Sequence, residues 1–529
     1  MKHALLLTAT TCSALCSSSQ DLLWLNAHPV DWNMNYAMVN HQVDASPGGL
    51  LGGVRQFGPG MSFGIDVFND LAVDWIDPTT GIPFSGCSMT DSVLMESMVT
   101  ADDGTIYVAG RFMGDIQFCD GSTLEGTGGF LDTDLFLAAF SSSTSGVAWM
   151  RNLSVEHPEG QRVPALAIDA NGTLWYGYEA FDEFHLISVD ALGADDEEIL
   201  IMGTRVLGGF GFDAWNNLYV SGSTGDSNGP LVFGGLSVPM PDAYDIFILR
   251  MRADGTGHWA KLAEAGTFHG PDVAVDPNGD AFVSTEIMMA TNWGGLSFNG
   301  PNWVGDVILA KVDSVGDFQW GKESAPAGMP ITGDMRQSRM TSIDSDASGT
   351  VYLTGTARGQ TQWGNGVVSD AITLGAYAQT VVAFNSAGNA QWALTSNPSS
   401  LNAQAVSCAD DGTVYFTGHV LGPYSIGGMI QNSGGLQAFV DGRIDGLNTG
   451  LLDGSSAGAL SAWPVPASDH IQLHSASARG SFMLLSAAGQ LAASGALRPG
   501  MNTVDISTLA AGIYMLRTAT GESIRMVKQ

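Results

Sequence analysis

Positive charge is scarce in this chain: 20 Lys and Arg stand against 53 Asp and Glu, a formal net charge of −33 over 529 residues. Binding phosphates requires clustered basic side chains, so the balance excludes nucleic acid as a partner. It excludes an anionic membrane surface on the same ground. The excess carboxylates give a soluble acidic coat, or else a set of weak divalent-cation sites. Cysteine is scarce as well, five in all, with no metal-ligand spacing and too few for a disulfide framework. Beyond the first twenty residues no apolar run is long enough for a transmembrane helix. There is no His-Glu-x-x-His, no phosphate-binding Gly loop and no Cys/His cluster.

What the chain does have is apolar residues (45%) and glycine (68). The first excludes disorder throughout. The second suits an all-β protein, whose tight turns use the positive φ that Gly adopts without steric cost. The opening "MKHALLLTATTCSALCSSSQ" places Lys2 and His3 before an apolar stretch from Ala4 to about Leu15, then small residues. That is the layout of a secretory signal peptide over 1–19, too short to span a bilayer. Leu15 precedes Cys16 where a lipoprotein box needs a small residue, so ordinary cleavage near Cys16–Ser19 is expected. Cys87, Cys119 and Cys408 then remain, either as a Cys87–Cys119 bridge and one thiol or as scattered core thiols.

The middle of the chain repeats one phrase six times: "DDGTIYVAG" (102–110), "ANGTLWYGY" (170–178), "WNNLYVSG" (215–222), "PNGDAFVST" (277–285), "ASGTVYLTG" (347–355) and "DDGTVYFTG" (410–418). The turn residues Gly104, Gly172, Asn217, Gly279, Gly349 and Gly412 step by 68, 45, 62, 70 and 63. A degenerate seventh copy is expected at 47–57, with Gly52 as its turn. A second phrase follows, an Asp before an apolar strand, a Gly turn and a Trp, as in "GDVILAKVDSVGDFQW" (305–320). Weaker copies of it stand at 181–193 and 436–446. Trp149, Trp259, Trp320 and Trp392 fall at equivalent phases, which points to packing between repeats rather than a sugar platform. Each unit offers about four short strands, and strands so continuously apolar need cover on both faces. Stacked blades provide it. Residues 20–446 are thus expected to form a β-propeller of about seven blades, to which 21–46 can lend a closing strand. A linear β-solenoid is the rival. The block 47–446 resembles the bacterial seven-bladed β-propeller repeat family, a resemblance that implies a fold and no activity.

Charge and pattern change near the end. From Trp463 onward five basic residues face three acidic ones, a net of +2, which leaves −35 on 1–462. After a Gly/Ser-rich linker at 447–462, short alternating strands over 463–529 suggest a small Ig-like β-sandwich. This segment resembles the C-terminal sorting domain (type A) of the type IX secretion system of Bacteroidota-like bacteria. The matching positions are Trp463, Pro464 and Pro466, then Gly489, then Leu509, Gly512, Tyr514, Leu516 and Arg517, and finally Lys528. Trp463 stands for the usual Tyr, and Val465 for the usual Asn. The resemblance implies Sec export, recognition by the type IX secretion machinery and arrival outside the cell or on its surface. The tail is typically removed, and many such proteins are fixed to surface lipopolysaccharide.

Candidate chemistry is thin. "GDSN" (225–228) matches an esterase nucleophile block but follows a repeat strand, and the one Asp-x-x-His, Asp182–His185, lies upstream of it; a turn is the reading. "DSDASG" (344–349) has the oxygen spacing of half a calcium loop, at Asp344, Asp346 and Ser348. The acid expected eleven residues after Asp344 is Gly355. A capped turn is the reading, with an incomplete Ca2+ site as the alternative. His258, one before Trp259, is expected to be structural. The function expected is an exported, non-catalytic binding or adhesion propeller for an extracellular glycan or protein, without a cofactor. The alternative is a secreted hydrolase or lyase acting on polysaccharide or protein, with carboxylates supplied by irregular loops at 86–101, 191–204 and 322–340.

Overall fold

The computed structural model describes residues 22–29, 40–63, 66–128, 132–224, 229–240, 245–263, 270–300, 305–324, 334–338, 340–371, 377–397, 400–432, 437–445, 460–463, 469–475, 480–486, 491–498, 500–518 and 523–528. The expected signal peptide, "GDSN" at 225–228, Pro464, Pro466 and Gly489 lie outside them. The chain separates into two compact units, Met1–Gly446 and Leu447–Gln529.

The first unit is a β-propeller. Among the described residues, seven antiparallel four-stranded blades follow one another in the order inner to outer. The first runs His41–Ala45, Leu51–Phe63, Asp66–Ile76 and the start of Pro83–Thr100; the rest of that long strand is the inner strand of the second blade, followed by Ile106–Phe112, Asp134–Ser141 and Gly146–Asn152. The third is Arg162–Ile168, Leu174–Ala180, Glu183–Val189 and Asp195–Met202; the fourth is Thr204–Phe212, Leu218–Thr224, Ile246–Met251 and Gly257–Ala263. The fifth is Asp272–Val275, Ala281–Ile287, Asp306–Val312 and Phe318–Glu323. The sixth uses Asp334–Arg336 with Ile343–Ser345 as its inner edge, then Val351–Gly364, Ala378–Phe384 and Ala390–Thr395. The seventh is Ser400–Cys408, Val414–Leu421, Gln437–Ile444 and, on its outer edge, the N-terminal strand Leu22–Pro29. Inner strands of successive blades touch in turn, and the seventh returns to the first, so the ring is closed.

The repeated phrases build this directly. Middle strands such as Leu174–Ala180, Ala281–Ile287 and Ala378–Phe384 are buried along their whole length, as their continuous apolar sequence requires. In the tight turns an Asp carboxylate caps two N–H groups and a Gly takes positive φ. Asp169 Oδ1 accepts from Asn171 N at 2.8 Å and Thr173 N at 2.9 Å, with Gly172 at φ +82°. The recurrent Trp lies on the turn Gly of the next blade. A Cβ on Gly193 would come within 2.7 Å of the Trp149 ring, and one on Gly388 within 2.6 Å of Trp320. Trp259 and Trp320 also donate Nε1–H to Ser314 O and Ser386 O, each at 3.1 Å. Trp392 packs on Tyr352, ring centroids 6.0 Å apart.

Three details differ from the sequence reading. The first blade turns at Gly49 (φ +84°), with Gly49 N donating to Ser46 O; Gly52 lies inside a strand opposite Trp75. Segments 86–101 and 191–204 are mostly paired strand rather than irregular loop, because their main-chain groups join Pro83–Thr100 and Asp195–Met202 to neighbours. The stretch read as a linker ends in a strand, Leu460–Trp463, whose Leu460, Ser461 and Ala462 pair with Ser475, His474 and Leu473.

Cys87 and Cys119 form a disulfide that ties the outer strand of the first blade to a hairpin inserted in the second; Cys408 is a buried free thiol. The second unit contains a three-stranded sheet (Leu460–Trp463, His470–Ser475, Gly500–Asp505) and a four-stranded one (Leu491–Leu497, Gly480–Ser486, Gly512–Thr518, Ser523–Lys528). Alternate residues from both, Ile471, Leu473 and Val504 with Phe482, Leu484, Tyr514 and Leu516, share one core. Leu509 packs at its margin, and Tyr514 donates its hydroxyl to Ala510 O. No helix among the described residues is long and apolar enough to cross a membrane.

Candidate functional site

Polar groups gather in three places in the propeller. The first is the ring of inner strands. At every junction a side chain of one blade bonds the main chain of the next. Asp44 accepts from Thr100 N (2.6 Å), Glu96 from Val163 N (2.9 Å), Glu179 from Leu207 N (2.8 Å), Asp272 from Ser342 N (2.7 Å) and Asp344 from Cys408 N (2.7 Å). Ser221 donates to Pro271 O, and Ser407 Oγ accepts from Ala45 N at 3.0 Å, which closes the circle. A bond to a carboxylate contributes about 1.5–3 kcal/mol, and a buried N–H left open costs about as much. The charges in this lining are therefore structural.

The residue that follows the repeated phrase belongs to the same system. It is Arg111, Glu179, Ser223, Glu286, Thr356 and His419 in turn, and it is always polar. Arg111 bonds Glu96 and Asp66, both at 2.9 Å; Glu96 also takes Arg162 Nε at 2.9 Å. One ion network thus spans three blades. Thr356 Oγ1 accepts from Ala403 N at 2.8 Å. Burial raises the Glu179 and Glu286 carboxyls and lowers the His419 imidazole to about 4. These residues were not singled out from the sequence. The signal was present, a polar residue at one phase after six apolar strands.

The residues of the calcium reading lie here too. Asp346 Oδ1 caps its turn, accepting from Ser348 N (2.9 Å), Ser348 Oγ (2.7 Å) and Thr350 N (2.9 Å), while Oδ2 accepts from the Tyr352 hydroxyl at 2.9 Å. Asp344 points instead to the seventh blade. Ser407 Oγ stands 3.2 Å from Asp344 Oδ2 and 3.3 Å from Asp44 Oδ1, so one hydroxyl faces two buried carboxyls. Burial raises Asp44 to about 7, with Asp344 adding repulsion, and raises Asp344 to about 6.

The second place is the seam where the N-terminal strand joins the last blade. His28 Nε2 meets Asp441 Oδ1 at 2.6 Å. His41 lies edge-on to Phe439, centroids 5.1 Å apart, and His419 lies 5.7 Å from the same ring. Burial holds the His41 imidazole well below its ordinary range.

The third place breaks the repeat. A single helical turn, Leu153–Glu156, connects the second and third blades and presents Glu156 and His157. His157 stacks on Tyr178 (4.8 Å), and Tyr178 stacks on His185 (4.5 Å, 2° between planes). His157 Nε2 is 3.0 Å from Asp195 Oδ2 and 2.9 Å from the Tyr176 hydroxyl, which itself donates to Asp195 Oδ1 at 3.0 Å. Arg151 joins Glu156 and Asp195, the latter at 2.7 Å. Burial works to raise Asp195, yet the bonds from His157 and Arg151 hold it below the ordinary carboxylate range. Tyr178 donates to Glu159 at 2.7 Å, and burial followed by this bond raises its hydroxyl. Asp182 sits in the turn before His185, at φ +59°. His258, at the outer edge of the fourth blade, accepts from Arg250 at 2.8 Å.

In the second unit, Leu509, Tyr514 and Leu516 meet at one core; Gly512 and Arg517 lie on the inner strand Gly512–Thr518 and Lys528 on the edge strand Ser523–Lys528 beside it, and Trp463 closes the first strand.

Residues 461–529 match the model of the secretion system C-terminal sorting domain. A tail of this kind marks its chain for type IX secretion, to the cell surface or beyond it. No curated protein matches the chain. Solved structures with similar folds include the Dos1 propeller (7% identity, TM-score 0.33, 80% of this chain and 96% of that one). Virginiamycin B lyase from Staphylococcus aureus is another (10%, 0.33, 68% and 99%), as is apocarotenoid oxygenase from Synechocystis (9%, 0.38, 82% and 96%). At these scores none of them carries an argument about chemistry.

Proposed function

We infer that this is an exported, non-catalytic binding or adhesion protein: a seven-bladed propeller that presents its surface to an extracellular glycan or protein. The signal peptide at 1–19 starts its export and the type IX tail completes it. The observation that carries the reading is the ring of inter-blade bonds. The buried carboxylates nearest the axis each accept a main-chain N–H of the next blade, so they serve closure of the ring rather than attack on a substrate. Outer turns and inserted hairpins take no part in this ring, and a rigid scaffold of this kind carries its recognition surfaces on such segments. The test is a glycan and peptide array probed with residues 20–460, with and without calcium. Saturable binding to one class supports the reading. A clean array together with turnover of a polysaccharide or protein polymer would support the secreted hydrolase or lyase instead.

A further inference from the structure

We propose that Glu156, His157 and Asp195 form a binding site for a first-row divalent transition ion of the Zn2+ type. The nitrogen and carboxylate oxygens these residues offer lie within 4.8 Å of one another. One imidazole with two carboxylates is a donor set for Zn2+ or its neighbours, whereas Ca2+ takes six to eight oxygens. Three protein ligands leave a position open for water.

Four features favour such a site over a chance grouping. First, the ligands are held rigidly. Asn152 caps the helical turn by accepting from Ser154 N at 3.0 Å, His157 N donates to Leu153 O at 2.7 Å, and Ser154 Oγ accepts from Leu135 N at 2.9 Å. The His157 ring is fixed by its stack on buried Tyr178. Second, one buried hydroxyl orients two of the ligands: Tyr176 donates to Asp195 Oδ1 at 3.0 Å and lies 2.9 Å from His157 Nε2. Third, a cation already stands between the carboxylates. The Arg151 guanidinium bridges Glu156 and Asp195, yet with Glu159 alongside, the three carboxylates still exceed it by two charges. A divalent ion would balance them. Fourth, the stack carries an unused buried nitrogen: His185 Nε2 makes no hydrogen bond, and Glu183 Oε2 is 3.4 Å from it. The acidic run Asp195-Asp196-Glu197-Glu198, exposed on the outer strand of the third blade, would raise the local cation concentration.

Arg151 makes the proposal sharp, because it is a competitor and not a ligand. Removing it should strengthen metal binding, while removing a ligand should weaken it. The experiment is isothermal titration of the full chain, stripped with chelator and free of any His tag, with ZnCl2 and separately with CaCl2. One Zn2+ per chain is expected at this site, with Ca2+ at least about tenfold weaker. His157→Gln, Asp195→Asn and Glu156→Gln, the last at an exposed side chain, should each weaken Zn2+ by about tenfold or more. Arg151→Gln should tighten it. No saturable Zn2+ binding, an isotherm unchanged in Glu156→Gln and His157→Gln, or weaker binding in Arg151→Gln would each overturn the proposal. Should a variant fail to fold, Zn2+-induced shifts of the His157 ring resonances in the wild-type chain give the answer directly: their presence supports the site, and their absence removes it.

Discussion

Trp24 lies across Gly81 as Trp320 lies across Gly388. A Cβ on Gly81 would come within 2.6 Å of the Trp24 ring, and Trp24 Nε1–H donates to Pro78 O at 3.0 Å, as Trp320 donates to Ser386 O. The N-terminal strand therefore supplies the recurrent Trp that the last blade lacks in its own sequence. Closing the ring depends on residues more than 400 positions apart, Leu22 opposite Ile444 and Pro29 opposite Ala438.

Trp24→Ala should accordingly loosen the whole propeller and not only the first strand. A buried Trp truncated to Ala costs about 3–5 kcal/mol. Leu23→Ala, on the exposed side of the same strand, should cost under about 0.5 kcal/mol. Urea denaturation of the two variants, followed by far-ultraviolet circular dichroism, makes the comparison.

The inner ring gives opposed pH dependences. Asp44 is raised from its ordinary 3.8 to about 7, so the native state holds its proton longer than the unfolded chain does. Its contribution to stability is complete below about pH 4 and is lost as pH rises to about 7. His419 is lowered from 6.5 to about 4, so its contribution is complete above about pH 6.5 and is lost as pH falls to about 4. Relative to wild type, Asp44→Asn should make the slope of melting temperature against pH more positive between 4 and 7. His419→Gln should make it more negative. Thermal melts at half-unit pH steps settle the sign of each.

Glu179 tests the junction bonds. Glu179→Ala opens the Leu207 N–H and removes a partner from Arg162, with an expected loss of about 3 kcal/mol. Glu179→Gln keeps an acceptor oxygen and should lose less than half of that. Equal losses in the two variants would mean that charge, not the main-chain bond, holds this junction.

The Cys87–Cys119 bridge closes a sequence separation of 32 residues, for which chain entropy gives about 2–4 kcal/mol. Cys87→Ser, Cys119→Ser and reduction by phosphine should each lower the denaturation midpoint by the same amount, and the double variant by no more.

Much of this architecture was legible because a phrase written six times fixes the turn, the apolar strand and the Trp in one register. The seam was harder to read. Leu22–Pro29 keeps its Trp and follows Asp21 directly, but it lacks the Gly turn that separates the Asp from the Trp in the other copies. The first turn was misplaced for a similar reason: Gly48, Gly49, Gly52 and Gly53 all offer a turn to the eye, and only main-chain bonding selects Gly49. The polar position after each phrase was visible but carries five kinds of side chain in six copies, so identity hid what phase would have shown. The His157 cluster was not legible, since Arg151, His157, Tyr176 and Asp195 come from four segments of two blades and meet only when these pack. In the tail, alternation placed Leu509, Tyr514 and Leu516 together at the core.

The most direct test of the account concerns the tail. In a bacterium with a type IX system, the full chain and a chain ending at residue 460 are expressed with an epitope inserted at an exposed propeller turn such as 252–254, and surface labelling is compared with periplasmic content. The account predicts that the full chain is labelled on intact cells or found in the medium, while the truncated chain accumulates, folded, in the periplasm. Equal surface labelling of the two would contradict it.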